Sequence, residues 1–134
     1  MFQPKILKPK KSHKGKNYKK INPVVSLSYG VIKLVSIETG ILSSKHFKVI
    51  KYTIKKFIKK KGIFYIIKFP QRPVSKKPLE VRMGKGKGAI NFWSCQIGLG
   101  CLICKLEINN KILGIKSLLS LQSKLPILTK IISS

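Results

Sequence analysis

Apolar and polar positions change rhythm several times along the chain, and each change predicts an element. From Val24 to Ile37 the run Val-Val-Ser-Leu-Ser-Tyr-Gly-Val-Ile-Lys-Leu-Val-Ser-Ile is rich in β-branched residues and alternates in places, which predicts one or two strands bent near Gly30. After Gly40 the period lengthens. Phe47, Ile50, Ile54, Phe57 and Ile58 recur at spacings of three and four, so they share one helical face; Ser43 or Ser44 can cap the first turn and Gly62 ends the pattern. Ile63 to Phe69 is a short apolar run between Gly62 and Pro70, as expected of a buried strand. Pro70, Pro73 and Pro78 then exclude a helix or a central strand and predict an exposed loop carrying Arg72, Lys76 and Lys77.

Asn91 to Gly98 and Cys101 to Ile108 read as two strands of a hairpin turning near Gly98 and Gly100, with another turn at Asn109-Asn110. A second helix is expected from Lys111 to about Ser123, with Ile112, Ile115, Leu118 and Leu119 inward, and then a short strand at Ile127 to Ile132. This order predicts an α+β fold, a hammerhead-like sandwich of an antiparallel or mixed sheet and two packed helices. No internal repeat and no later boundary is visible, so residues 24–134 read as one domain with a glycine-rich basic loop at about 75–90. Residues 1–23 differ: Lys5, Lys8, Lys10, Lys11, Lys14, Lys16, Lys19 and Lys20 alternate with three prolines and few apolar residues. Such a segment buries too little surface to fold by itself, and it reads as a basic arm that orders along phosphates.

Composition changes the picture from a fold to a partner. The chain has 134 residues, 43% of them apolar, and a mean hydropathy of +0.04, enough for a real core. Against 29 Lys plus Arg stand three acids, Glu38, Glu80 and Glu107, for a net charge of +26. Self-repulsion at this density opposes compaction, so a polyanion is the expected partner, and nucleic acid is the obvious one. Membrane is the weaker choice, because lysine interrupts every apolar run, the longest being Ile97 to Cys104, far short of a span. The opening residues resemble neither a secretory leader nor a transit helix, so the chain is expected to act where it is made. With no Asp at all, the paired carboxylates of acid/base or Mg²⁺-assisted chemistry are hard to assemble, and no catalytic, metal or cofactor site is expected. The ratio of 27 Lys to 2 Arg, with abundant Ile, points to an A/T-biased genome of the organellar sort rather than to a mechanism.

Two surfaces fit a polyanion. Lys45, Lys48, Lys51, Lys55, Lys56, Lys59 and Lys60 cover most of the predicted first helix outside its apolar face, without one acid for relief. Between Leu79 and Ile90, Gly84, Gly86 and Gly88 alternate with Lys85 and Lys87; glycine lets backbone amides approach a phosphate while the ammonium groups neutralise it. The spacing matches neither a P-loop nor a dinucleotide fingerprint.

The string Lys76-Lys77-Pro78-Leu79-Glu80-Val81-Arg82-Met83-Gly84-Lys85-Gly86-Lys87-Gly88, with Phe69-Pro70 before it and Phe92-Trp93 after, closely resembles the signature of the bacterial-type large-subunit ribosomal protein sixteen family. Pro4-Lys5, Lys11-Ser12-His13-Lys14-Gly15, Tyr29-Gly30, Leu42-Ser43-Ser44-Lys45 and Lys124-Leu125-Pro126-Ile127 resemble further family segments, in order and over nearly the full length. The resemblance implies a structural component of the large ribosomal subunit. Its partners would be large-subunit rRNA, tRNA in the A and P sites and neighbouring ribosomal proteins. Carried over by position, Arg82, Lys85 and Lys87, with Met83, Gly84, Gly86 and Gly88, would form the loop nearest tRNA, and His13 and Lys14 would lie in the arm. On charge, Lys5, Lys10, Lys11, His13, Lys14 and Lys16 of the arm, Lys51, Lys55 and Lys59 of the first helix, and Arg72, Lys76 and Lys77 are expected to bind rRNA. Departures are the replacement of many family arginines by lysine, Lys33 in place of a small residue, and the missing acids of the last helix. Arg82, retained where nearly every cation is Lys, is the strongest single site residue. A mitochondrial ribosome, organelle-encoded, is the expected location, with a plastid or bacterial cytoplasm as alternatives.

Other candidates are weaker. Cys101 and Cys104 form C-x-x-C with Cys95 nearby, yet lack the strand-to-helix setting of a redox pair or the second pair of a zinc site, and are expected to be buried thiols. His13 and His46 lack a nearby carboxylate, and Trp93 is expected in the core. The competing class is a stand-alone basic nucleic-acid- or anionic-membrane-binding protein, in which the Lys45 to Lys61 segment alone suffices; a nucleotide-dependent enzyme would instead need Glu80.

Overall fold

The element at the centre of the four-stranded sheet is a strand rich in β-branched residues. In the computed structural model, which describes Pro4 and residues 10–15, 30–59 and 61–133, β1 (Val31–Ser36) is buried at all six positions and is an interior strand of its sheet. Even Lys33 is only 5% exposed. The remaining elements are β2 (Gly40–Ser43), α1 (Ser44–Ile58), β3 (Gly62–Ile66), β4 (Arg72–Ser75), β5 (Ile90–Ile97), β6 (Leu102–Ile108), α2 (Lys111–Gln122) and β7 (Thr129–Ser133). They form a four-stranded sheet, β3-β6-β1-β7, and a three-stranded sheet, β2-β5-β4, with every pairing antiparallel. The α+β expectation holds. The segment Val24 to Tyr29, expected to contribute strand, lies outside the described residues.

α1 buries Phe47, Ile50, Ile54 and Ile58 of the stripe its spacing predicts, in one core cluster with Leu34, Leu106, Leu118 and Leu121, while Phe57 is half-buried. It stops at Ile58, earlier than Gly62 suggested. Lys59 takes a left-handed φ of 51° and its N–H donates to the Lys55 carbonyl at 3.0 Å, closing the last turn. Gly62 serves the next element instead: a Cβ there would stand 2.7 Å from the Glu107 carbonyl oxygen, so the glycine permits close pairing of β3 with β6.

Four expectations are corrected. β3 is an edge strand, not a buried one: Phe64 and Ile66 pack on the core, whereas Ile63, Tyr65 and Ile67 are about half exposed. An apolar run does not reveal whether its outer face is covered. The proline-rich segment is not wholly an exposed loop, because Pro73, Val74 and Ser75 are buried in β4, where proline is tolerated at an edge of the sheet. β5 and β6 do not form a hairpin; they lie in different sheets, and the chain between them folds around Ser36. The Ser36 hydroxyl donates to the Gly98 carbonyl at 2.5 Å and accepts the Cys101 N–H at 3.0 Å, so this buried polar group is satisfied. In α2 the buried positions are Gly114, Ser117, Leu118 and Leu121, while Ile112 and Leu119 are exposed. The helix is apolar nearly all round, so periodicity alone does not choose its face. The small residues do: a Cβ on Gly114 would come within 2.5 Å of Ile32 Cδ1.

Candidate nucleic-acid interface

The glycine-rich loop is the connection between the paired strands β4 and β5, and it is tied at its base. The Lys76 N–H donates to the Ala89 carbonyl at 3.1 Å, and Gly88 fits there because a Cβ would lie 2.5 Å from the Lys76 carbonyl oxygen. Further out, Gly84, Lys85 and Gly86 all have left-handed φ values, 105°, 51° and 80°. Two of these conformations suit glycine; Lys85 adopts the third at the tip. Leu79, Arg82, Met83, Lys85 and Lys87 are exposed, Met83 completely. The Lys77 ammonium donates to the Gly84 carbonyl and stiffens the loop from within.

The described part of the arm is docked onto β4. Ser12 forms a parallel bridge with Val74: its N–H donates to the Pro73 carbonyl at 3.2 Å, and the Ser75 N–H donates to the Ser12 carbonyl at 2.8 Å. The Ser12 hydroxyl donates to the Pro73 carbonyl at 2.5 Å, and Ser75 Oγ donates to the Ser12 carbonyl at 3.0 Å. Arg72 clamps this junction, its Nε donating to Ser12 Oγ at 3.2 Å and a terminal nitrogen to the His13 carbonyl at 3.0 Å. Lys87, across the loop, donates to the Lys11 carbonyl at 2.6 Å. Arm, β4 and loop are therefore one hydrogen-bonded unit.

The remaining sequence-predicted residues fall as follows. Lys10, Lys11, His13 and Lys14 are exposed in the docked arm, and Lys76 is exposed beside the loop. Lys51, Lys55 and Lys59, with Lys48 and Lys56, form an exposed face of α1, which carries no acid. Lys5 and Lys16 lie outside the described residues. The structure thus brings the arm and the loop together and sets the α1 lysines on a separate element. Sequence reasoning missed Ser12 and the fastening roles of Arg72 and Lys87, since each partner sits about 60 or more residues away along the chain.

Other titratable groups are structural. His46 is the third helical residue of α1, and its Nδ1 accepts the Ser43 N–H at 3.1 Å, a capping-box role usually taken by Glu or Gln; burial holds its pKa below the usual 6.5. Cys101 and Cys104 are buried in the core as expected, and burial pushes the Cys104 thiol up to about 12, leaving it protonated and inert. Cys95 is also raised, chiefly by burial. Trp93 is half-buried in β5 and lies outside the main core cluster, contrary to expectation. Among the described residues no three His, Cys, Asp or Glu side chains converge as metal ligands, and no helix is long and apolar enough to cross a membrane.

The structure sets a docked basic arm beside a tied Gly-Lys loop, and the family follows from comparison with known proteins. The pattern of ribosomal protein L16p/L10e matches residues 3–132. The chain belongs to the ribosomal protein L16p/L10e family. Its relatives include the large ribosomal subunit protein uL16 of Psychrobacter arcticus, 38% identical over 132 residues, covering 98% of this chain and 96% of the relative. The uL16 of Acinetobacter baumannii is 35% identical over 133 residues, covering 99% and 97%. L16p/L10e membership was legible in the Leu79 to Gly88 string. These uL16 relatives are bacterial, so they lend no support to the mitochondrial location expected from the A/T bias, and the alternative of a ribosome in bacterial cytoplasm fits them.

Proposed function

We propose that the chain is a structural, non-catalytic constituent of the large ribosomal subunit that binds large-subunit rRNA and supports tRNA near its acceptor arm. The observation that carries this reading is the joined unit of arm and loop, in which exposed cations face outward from a backbone shaped by left-handed glycines. Lys10, Lys11 and Lys14 of the arm, Lys51, Lys55 and Lys59 of α1, and Lys76 and Lys77 at the loop base neutralise rRNA phosphates. Arg82, Lys85 and Lys87, with Met83, form the edge presented toward tRNA in the A and P sites. Arg72 contributes by holding the arm, which leaves only part of its five-donor guanidinium for phosphate. Neighbouring ribosomal proteins complete the surroundings.

The test is a division of labour in cells that depend on this chain. Arg82→Ala is expected to lower translation rate more than subunit assembly, and replacement of Lys10, Lys11 and Lys14 by Gln to do the reverse. The unaltered chain should co-sediment with large subunits through high-salt washing. Recovery only in a free or membrane-bound pool would contradict the reading.

A further inference from the structure

Beside the docked arm lies an open cleft of about 610 Å³ that shares only Lys14 with the proposed interface. Segments far apart in sequence meet there. Lys14 comes from the arm, Glu38 from the turn after β1, Lys45 and His46 from the first turn of α1, and Asn91 and Phe92 from the start of β5. The volume falls in the range of about 300–1,000 Å³ typical of small-ligand sites, too confined for a duplex and ample for one nucleotide.

Its chemistry is that of a nucleotide receptor. Lys14 and Lys45 are exposed at the cleft and hydrogen-bond to no described residue, so two ammonium groups are available to a phosphate. His46 accepts the Ser43 N–H on Nδ1, which in the neutral ring puts the proton on Nε2 and offers one more donor. Phe92 supplies a half-buried aromatic surface, and Asn91 an exposed amide suited to a base edge. Glu38 is the opposing charge, and its carboxylate already accepts the Leu128 N–H at 3.4 Å. RNA-binding proteins read unstacked bases in this manner, with stacking on an aromatic side chain and hydrogen bonds to an open edge.

We propose that this cleft receives a single unstacked nucleotide of the RNA partner, its phosphate held by Lys14 and Lys45 and its base against Phe92 and Asn91. The proposal rests on the RNA-binding reading above and adds to it a site for one particular kind of nucleotide. Arg72 enters as a positioning residue, since its bond to the His13 carbonyl holds the segment that carries Lys14.

The experiment compares the full chain binding a short RNA duplex with the same duplex carrying one bulged 2-aminopurine nucleotide. The bulged RNA should bind about tenfold more tightly, in line with the stacking of one base, and the 2-aminopurine fluorescence should change on binding. Phe92→Ala should abolish both differences while leaving affinity for the duplex unchanged. Asn91→Ala, at an exposed position, should reduce them and keeps the test valid if Phe92→Ala unfolds. Equal affinity for the two RNAs with a silent probe would overturn the cleft while leaving RNA binding intact; binding of neither would overturn both. Saturation of the cleft by free adenosine monophosphate with no effect on bulged-RNA binding would also overturn it.

Discussion

At the scale of single residues, Arg72 and His46 serve as fastenings within the fold. Arg72 is one of two arginines, and it holds the arm through Ser12 and the His13 carbonyl. Charge-assisted hydrogen bonds of this kind contribute about 1.5–3 kcal/mol each when well sheltered, and less at this partly exposed site. Arg72→Ala is therefore expected to speed amide exchange at Ser12 and Ser75 while leaving the core amides of Leu34 and Leu106 unchanged. Equal exchange in variant and parent would contradict the clamp. His46 gives a second prediction. Its neutral ring caps α1, and its pKa is lowered, so its stabilising contribution is present above about pH 6.5 and is lost as pH falls below that value. His46→Gln restores the usual capping-box residue, and urea unfolding should show a smaller loss of stability between pH 7.5 and 5 in the variant than in the parent. None of this was legible beforehand: His46 carries no sign of its Nδ1 partner in its spacing, and Ser12 no sign of Pro73.

At the scale of elements, what could be read depended on how local the cause was. α1 emerged from its own apolar stripe, because a helix face repeats every three to four residues whatever surrounds it. The inward face of α2, the exposure of β3 and the separation of β5 from β6 were not legible, since each is set by a neighbour distant in sequence. Glycine contacts show the same dependence and lead to a relative prediction. At Gly62 a Cβ would meet backbone, the Glu107 carbonyl oxygen at 2.7 Å, whereas at Gly114 it would meet the movable tip of Ile32 at 2.5 Å. Gly62→Ala should thus lower the midpoint of thermal unfolding more than Gly114→Ala, where a gain of up to about 1 kcal/mol in helix propensity offsets the crowding. The loop tells a mixed story. Its glycines and lysines stood out in the sequence, but the tie from Lys87 to the Lys11 carbonyl, which couples loop to arm, did not.

At the scale of the whole molecule, the fold is a scaffold that places like charges close together, and +26 over 134 residues is sustainable only with a counter-charge. The two sheets and two helices bury an ordinary apolar core, so the cost falls on the surface: the arm, the loop and the α1 face each gather lysines that repel one another. Binding RNA relieves that repulsion and releases condensed cations, which makes affinity fall with salt in proportion to the phosphates engaged. The most direct measurement is the dissociation constant of the full chain for large-subunit rRNA across a salt series from about 50 to 200 mM. For six to ten phosphate contacts the expected loss is about 10³- to 10⁵-fold over that range, linear on logarithmic axes. Failure to bind at the lowest salt, or an affinity indifferent to salt, would contradict the claim that this polycation is built to be completed by RNA.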